Sequence, residues 1–391
     1  MLFPPFFPTF GMWGRGANVK ILYMLERFVP FVGGIETMSA HLLSALAQNG
    51  HEVQIVTSQS DVPLRETDTW QGMPLFRLPM LTSLAHRDLR GILQARAGLR
   101  GIKQAFDPDV VHIQFSGPSS MFHWDTNEGA GVPTLVTVHS VATESTPNRS
   151  LYLDTVRKAD WVASVSRHML DWTLAHAPEI FEHSSVVYNG IPAEELPAQM
   201  PALPFEPPTI LWIGRMVEWK RVDRLIDAAA QVMATNGVVR LCLAGDGPER
   251  QRLEALARDR GIAERTRFTG WVDAAERGAL MRKATLVAIP SEAMENLPMV
   301  ALEAAGYGRP IVGSRVSGLP EIVEHERSGL LVSNLTPQTL ADAISRVLTD
   351  REKAREMGRQ ASKLVRSRFT STQMVDAYEH LYGRLAGPRA G

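Results

Sequence analysis

Short apolar runs alternate along this chain with stretches whose apolar residues recur every three or four positions. VKILYML (19–25) is continuous and apolar, which predicts a strand covered on both faces. IETMSAHLLSALAQNG (35–50) follows, with Ile35, Met38, Leu42 and Leu46 on one helical face and Gly50 where the helix ends. HEVQIVT (51–57), DVVHIQF (109–115), VPTLVTVH (132–139), WVASVS (161–166) and SVVYNG (185–190) predict further strands, with helical patterns between most of them. Such alternation predicts a parallel sheet with crossover helices.

IPAEELPAQMPALPFEPPT (191–209) contains six prolines and predicts a linker, because proline can continue neither a helix nor an inner strand. The strand–helix pattern then restarts with TILWIG (209–214), VVRLCLAG (238–245), RFTGWV (267–272), TLVAIPS (285–291) and RPIVGS (309–314). Helices are expected from about 222, 249 and 298, near 337–349 and 351–367, and at about 371–385. The expected fold is therefore α/β: two Rossmann-like βα domains facing a cleft. The expected division is an irregular leader at 1–18, a first domain at 19–192, a linker at 193–208, a second domain at 209–370, and a C-terminal helix and tail at 371–391.

Composition narrows the class. At 391 residues the chain is long for one domain. A net charge of −1 gives no global field for nucleic acid, so no nucleic-acid partner is expected. The single cysteine, Cys242, excludes an intrachain disulfide and any cysteine-cluster metal site, and fits a reducing cytoplasm. No apolar run reaches the roughly 18 residues of a membrane span. The apolar leader MLFPPFFPTFGMWGRG is interrupted by prolines and lacks the basic start of a signal peptide. One stretch, LAHRDLRGILQARAGLRGIKQAF (84–106), reads as a basic amphipathic helix that could rest on anionic lipid.

Candidate chemistry gathers after the strands, where open α/β sheets bind ligands. SEAMENLPMVALEAAGYGRP (291–310) places Glu295 before a helix start and Glu303 inside the helix, roughly 8–12 Å apart along the axis. Pro298 suits the first turn, and the free backbone N–H groups of Met299 and Val300 make that helix tip an anion site. Arg215 directly follows a strand, and Lys220 stands near a helix start, where a cation opposes the helix dipole unless an anion binds. Gly33 and Gly34 form a strand-to-helix turn without a P-loop or dinucleotide fingerprint, and AGDGPER (244–250) is a similar turn with Gly245. His139 ends a strand on the cleft side, whereas His112 reads as a core residue. Asp107-Pro108-Asp109 reads as a turn rather than a metal motif, and no metal cluster is expected.

Taken together these stretches resemble glycosyltransferase family 4, the retaining nucleotide-sugar transferases of GT-B architecture. The resemblance covers about 19–385 and is most specific at IGRMVEWKRVDRLIDA, LAGDGPER, FTGWV and PSEAMENLPMVALEAAGYGRPIVGSRVSGLPEIV. It implies that the C-terminal helix returns to the first domain. It implies that Arg215 and Lys220 hold the donor pyrophosphate, Glu303 the ribose, and Glu295 the donor sugar, helped by the amides of Asn296 and Leu297. Gly33 and Gly34 would lie near phosphate and acceptor, His139 beside the donor sugar, and Gly245 and Trp271 beside the nucleobase. Many family members have glycine where this chain has Asn296, which leaves the donor sugar open.

The implied activity is transfer of a sugar from a UDP-, GDP- or ADP-linked donor to a glycan or glycolipid acceptor. No cofactor or metal is expected, and the expected location is cytoplasmic, including the inner face of the membrane. The alternatives are an inactive sugar-nucleotide-binding subunit and an epimerase or phosphorylase on the same fold. Lys220→Ala is expected to abolish transfer while leaving the fold intact.

Overall fold

This computed structural model describes residues 18–387 except 32, 61, 116, 128–130, 141–148 and 294. The expected leader therefore lies outside the described residues, apart from Asn18. One sheet contains β1 (Lys20–Leu25), β2 (Glu52–Ser58), β3 (Thr67–Trp70), β4 (Met73–Leu78), β5 (Val110–Phe115), β6 (Thr134–Val138), β7 (Trp161–Ser164) and β8 (Ser184–Val186). Its order is β3-β4-β2-β1-β5-β6-β7-β8. A second sheet contains β9 (Thr209–Ile213), β10 (Arg240–Ala244), β11 (Thr266–Gly270), β12 (Leu286–Ile289), β13 (Ile311–Ser314) and β14 (Gly329–Val332), in the order β11-β10-β9-β12-β13-β14.

Every strand pair is parallel except β3–β4. The apolar runs become central strands because helices cover both faces. β5 is buried at each of its positions, including His112 and Gln114. The β3–β4 hairpin was not expected from the sequence. β3 is an edge strand, TDTW, whose one large apolar side chain is Trp70, and it offers no apolar run. β4 does alternate buried and half-buried positions, a period-two signal in MPLFRL.

The expected 84–106 helix is also revised. It is two helices, Met80–Ala85 and Leu89–Phe106, broken at Arg87, whose φ of 52° is left-handed. Asp88 caps the second helix by accepting from Arg90 N–H. Asp107 ends that helix in the left-handed region, and Asp109 accepts from Lys20 N–H at 2.8 Å, so this aspartate pair is a turn, as the sequence suggested.

The two sheets are tied at their ends. Helix Ser371–Ala386 crosses back and packs on helix Gly34–Gln48, burying Tyr378 and Tyr382 with Tyr23, Met38 and Leu42. Thr370 caps this helix and bridges to Ile191. Glu321 accepts from the N–H groups of Arg167 and His168, both at 2.9 Å, and from Tyr188 hydroxyl at 2.8 Å. A carboxylate from the second domain thus caps a helix of the first. Arg309 is fully buried and donates to the carbonyls of Pro201, Ala202, Ala284 and Tyr307, which pins the proline-rich segment to the second domain.

Candidate functional site

The carboxyl ends of both sheets face one cleft. Helix Met299–Gly306 starts after Pro298, and the backbone N–H groups of Met299 and Val300 donate to no described residue. Opposite it, helix Gly34–Gln48 begins at Gly34. A side chain added at Gly34 would place its Cβ 4.0 Å from Met299 Cγ, so the two helix starts nearly touch. Two amino ends converging on one gap create an anion-attracting field.

Lys220 and Glu295 meet there as an ion pair. Glu295 also accepts from Ser291 hydroxyl, and its backbone carbonyl accepts from Gly318 N–H at 3.0 Å. Ser314 in turn donates to the Ser291 carbonyl. Lys220 lies over the Trp219 ring, 4.3 Å from its centroid, and Trp219 carbonyl accepts from Glu292 N–H at 2.9 Å. The lysine and glutamate loops are therefore fixed to each other before any ligand arrives. Arg221, next to Lys220, is taken up by Asp223 and Glu292. Arg215 is exposed, and its guanidinium has no partner among the described residues. Its loop is stacked on the β10 loop: Gly214 N–H donates to Ala244 carbonyl and Met216 N–H to Asp246 carbonyl. Gly245, at φ 130°, is required here, since a Cβ would lie 1.8 Å from the Gly214 carbonyl oxygen.

Glu303 is buried and is paired with Arg277 at 2.8 Å, a partner the sequence did not indicate. Burial pushes its carboxyl up to about 7 despite that guanidinium. His41 and Glu195, paired with each other at 2.8 Å, also act electrostatically on Glu303. Trp271 is 62% exposed beyond β11, next to the start of helix Ala274–Lys283. Leu297 is buried beneath the Glu295 loop.

His139 follows β6. Its Nε2–H donates to Gln114 Oε1, since an amide oxygen can only accept. Gln114 Nε2 donates to His112 Nε2 at 3.0 Å, and His112 Nδ1 meets Tyr382 hydroxyl at 2.6 Å. This buried relay runs from the crossover helix to the cleft and sets the neutral tautomer of His139. Burial lowers His139 to about 3, so it stays uncharged. Its carbonyl accepts from Asn296 Nδ2 at 2.7 Å, a direct bond between the domains.

The sequence reading missed Gln114, Ser291 and Arg277. Gln114 had a signal: a polar residue inside a strand buried on both faces requires a partner. Ser291 and Arg277 had none, because their roles depend on partners 4 and 26 positions away.

Comparison with known proteins agrees with this geometry. Residues 198–364 match the model described as glycosyl transferases group 1, and residues 32–195 match glycosyltransferase family 4. A glycogen synthase of Mycobacterium tuberculosis is 27% identical over 401 residues, spanning 93% of this chain and 94% of that protein. An N-acetyl-alpha-D-glucosaminyl L-malate synthase of Bacillus anthracis is 25% identical, spanning 90% and 94%. Among solved structures, a sucrose-phosphate synthase of Thermosynechococcus elongatus superposes with a TM-score of 0.81 at 22% identity, covering 94% of this chain and 99% of that one. HepE of Anabaena, solved with UDP-glucose, gives 0.76 at 19% identity, covering 93% and 99%.

Proposed function

The chain belongs to glycosyltransferase family 4, with the GT-B architecture, and on that premise we propose that it transfers a sugar, with retention, from a nucleotide-diphosphate donor to an acceptor hydroxyl. The observation that carries this reading is the approach of two helix starts, with the Lys220–Glu295 pair at the loop that leads into helix Met299–Gly306. A diphosphate placed there meets the N–H groups of Met299 and Val300, the Arg215 fork and the Lys220 ammonium. Glu303 accepts from ribose hydroxyls, and Glu295 from the sugar. Gly245 and Trp271 flank the nucleobase, and neutral His139 lies beside the sugar.

In this scheme the anomeric C–O bond to phosphate breaks as the acceptor oxygen bonds the same carbon from the same face. The acceptor proton passes to the leaving phosphate. Stabilising the departing diphosphate is the main catalytic demand, and two cations plus helix N–H groups supply it. No protein nucleophile is required. Countercharge comes from the protein, so turnover is expected to survive EDTA.

HepE was solved with UDP-glucose, which supports a uridine donor as the first to test. The experiment is a thermal-shift screen against UDP, GDP, ADP and their sugars, followed by nucleotide-release assays with the binders. The expected result is stabilisation by one nucleotide and its sugar. Stabilisation by none of them overturns the proposal. Binding without nucleotide release in the presence of acceptor glycans favours the inactive-subunit alternative.

A second element of the proposal is contact with a membrane. Among the described residues no helix is long and apolar enough to cross one. Helix Leu89–Phe106 nevertheless carries no acidic residue and presents Leu89, 68% exposed, and Leu93, 55% exposed, beside Arg90 and Arg100. Exposed leucines flanked by arginines suit an anionic lipid surface, where a lipid-linked acceptor would be found.

A further inference from the structure

Asn296 follows Glu295 and is only 4% exposed. Its amide orientation is settled by chemistry: the nitrogen faces the His139 carbonyl at 2.7 Å, and a carbonyl accepts but cannot donate. The other amide atom, Oδ1, is buried and has no hydrogen-bond partner among the described residues. Buried polar atoms are almost always bonded, and leaving an acceptor unmade is costly.

The side chain cannot easily swing elsewhere to find a donor. Gly318 N–H holds the Glu295 carbonyl, and a Cβ at Gly318 would lie 1.6 Å from the Asn296 carbonyl oxygen. The loop is thus clamped from below by the chain at 318 and from across the cleft by His139. Glu295, on the same loop, faces Lys220.

We infer that Asn296 Oδ1 accepts a hydrogen bond from one hydroxyl of the transferred sugar and selects donors by the presence and configuration of that hydroxyl. The inference rests on the reading of the cleft as a nucleotide-sugar site. An ionised diphosphate carries no hydrogen and cannot satisfy this atom. The ribose hydroxyls are assigned to Glu303, inside the helix that this loop leads into. A sugar hydroxyl beside Glu295 is the remaining group that can donate. Selection of this kind is steep, because an analogue lacking the hydroxyl leaves a buried acceptor unpaired. Glycine at this position would supply neither the acceptor nor the bond to His139.

The test uses the full chain with UDP-glucose, UDP-galactose, GDP-mannose and ADP-glucose, read as initial rates of nucleotide release. For the donor used best, single-hydroxyl epimers and deoxy analogues are then compared. One epimer or deoxy analogue is expected to lose about 10²-fold or more in kcat/KM. In Asn296→Gly that ratio is expected to fall to within about tenfold, while free UDP or GDP binds within about twofold of wild type. Asn296→Ser serves as a second variant, and melting temperatures of both report folding. Wild-type rates that ignore every single-hydroxyl change overturn the inference. So does an unchanged ratio in both folded variants that still bind nucleotide, and in these cases the proposed activity stands. Absence of any nucleotide or nucleotide-sugar binding by wild type overturns the proposed function, and this inference with it.

Discussion

The Lys220 ammonium and the Glu295 carboxylate are bonded to each other at the cleft. The sequence reading had them act on different parts of a donor. Both roles are compatible with the pair, since a diphosphate arriving at Lys220 competes for its charge and leaves Glu295 free to accept from a sugar. The pair also changes what removing Lys220 does. Glu295 is buried, so Lys220→Ala strands a carboxylate supported, among the described residues, only by Ser291. We expect that variant to lose transfer by about 10²–10³-fold and also to be less stable, on the order of 3 kcal/mol. The double variant Lys220→Met/Glu295→Gln is expected to recover much of the stability and none of the activity. Chemical denaturation and nucleotide-release rates check both. A single variant as stable as wild type would show that the pair contributes nothing to the fold.

Arg215 offers the contrasting case. It is exposed and unpaired among the described residues, so Arg215→Ala removes no interaction of the resting chain. Stability is expected to change by less than about 0.5 kcal/mol. The kcat/KM for the donor is expected to drop by about 10²-fold, and the affinity for UDP or GDP to weaken with it. Calorimetry of nucleotide binding beside the melting curve separates the two effects. Unchanged nucleotide affinity would take Arg215 out of the site.

Glu303 makes donor binding pH-dependent. Its folded value of about 7 lies above the ordinary value for glutamate, so the folded chain holds a proton there that the unfolded chain has released. The stability linked to this group is full below about 4.5 and is lost as pH rises through about 7. A ribose needs the ionised carboxylate as an acceptor, so nucleotide affinity is expected to rise across the same interval. Arg277 lowers the Glu303 value, and Arg277→Ala should move the midpoint of that rise to higher pH. Glu303→Gln should abolish the rise. Thermal-shift titrations of UDP or GDP between pH 5.5 and about 8.5 read all three chains.

The α-helical face at Leu89 and Leu93 predicts vesicle binding. Co-sedimentation with vesicles rich in phosphatidylglycerol is expected at low salt, with little on phosphatidylcholine alone. Leu89→Asp/Leu93→Asp should abolish it without lowering the melting temperature, because neither side chain is buried. Wild-type chain left entirely in the supernatant would end this reading.

Much of the architecture follows from local pattern. VKILYML, DVVHIQF and TILWIG are strands because a continuous apolar run is stable only between two covering layers. The turn at Gly245 and the helix start at Pro298 were legible because backbone geometry restricts which residues can stand there, whereas Gly33, at φ −161°, is under no such restriction. The edge hairpin escaped notice, since an exposed strand needs no apolar signature.

By itself, then, the sequence determined the layers, the cleft and the charged groups that border it, because those depend on residues near one another in the chain. The tertiary structure alone decided which groups pair. Lys220 finds Glu295, Arg277 finds Glu303, and Asn296 reaches His139 across the cleft. Their charge states, and the Asn296 acceptor left without a partner, follow from burial and from distances set only once the sheets are assembled.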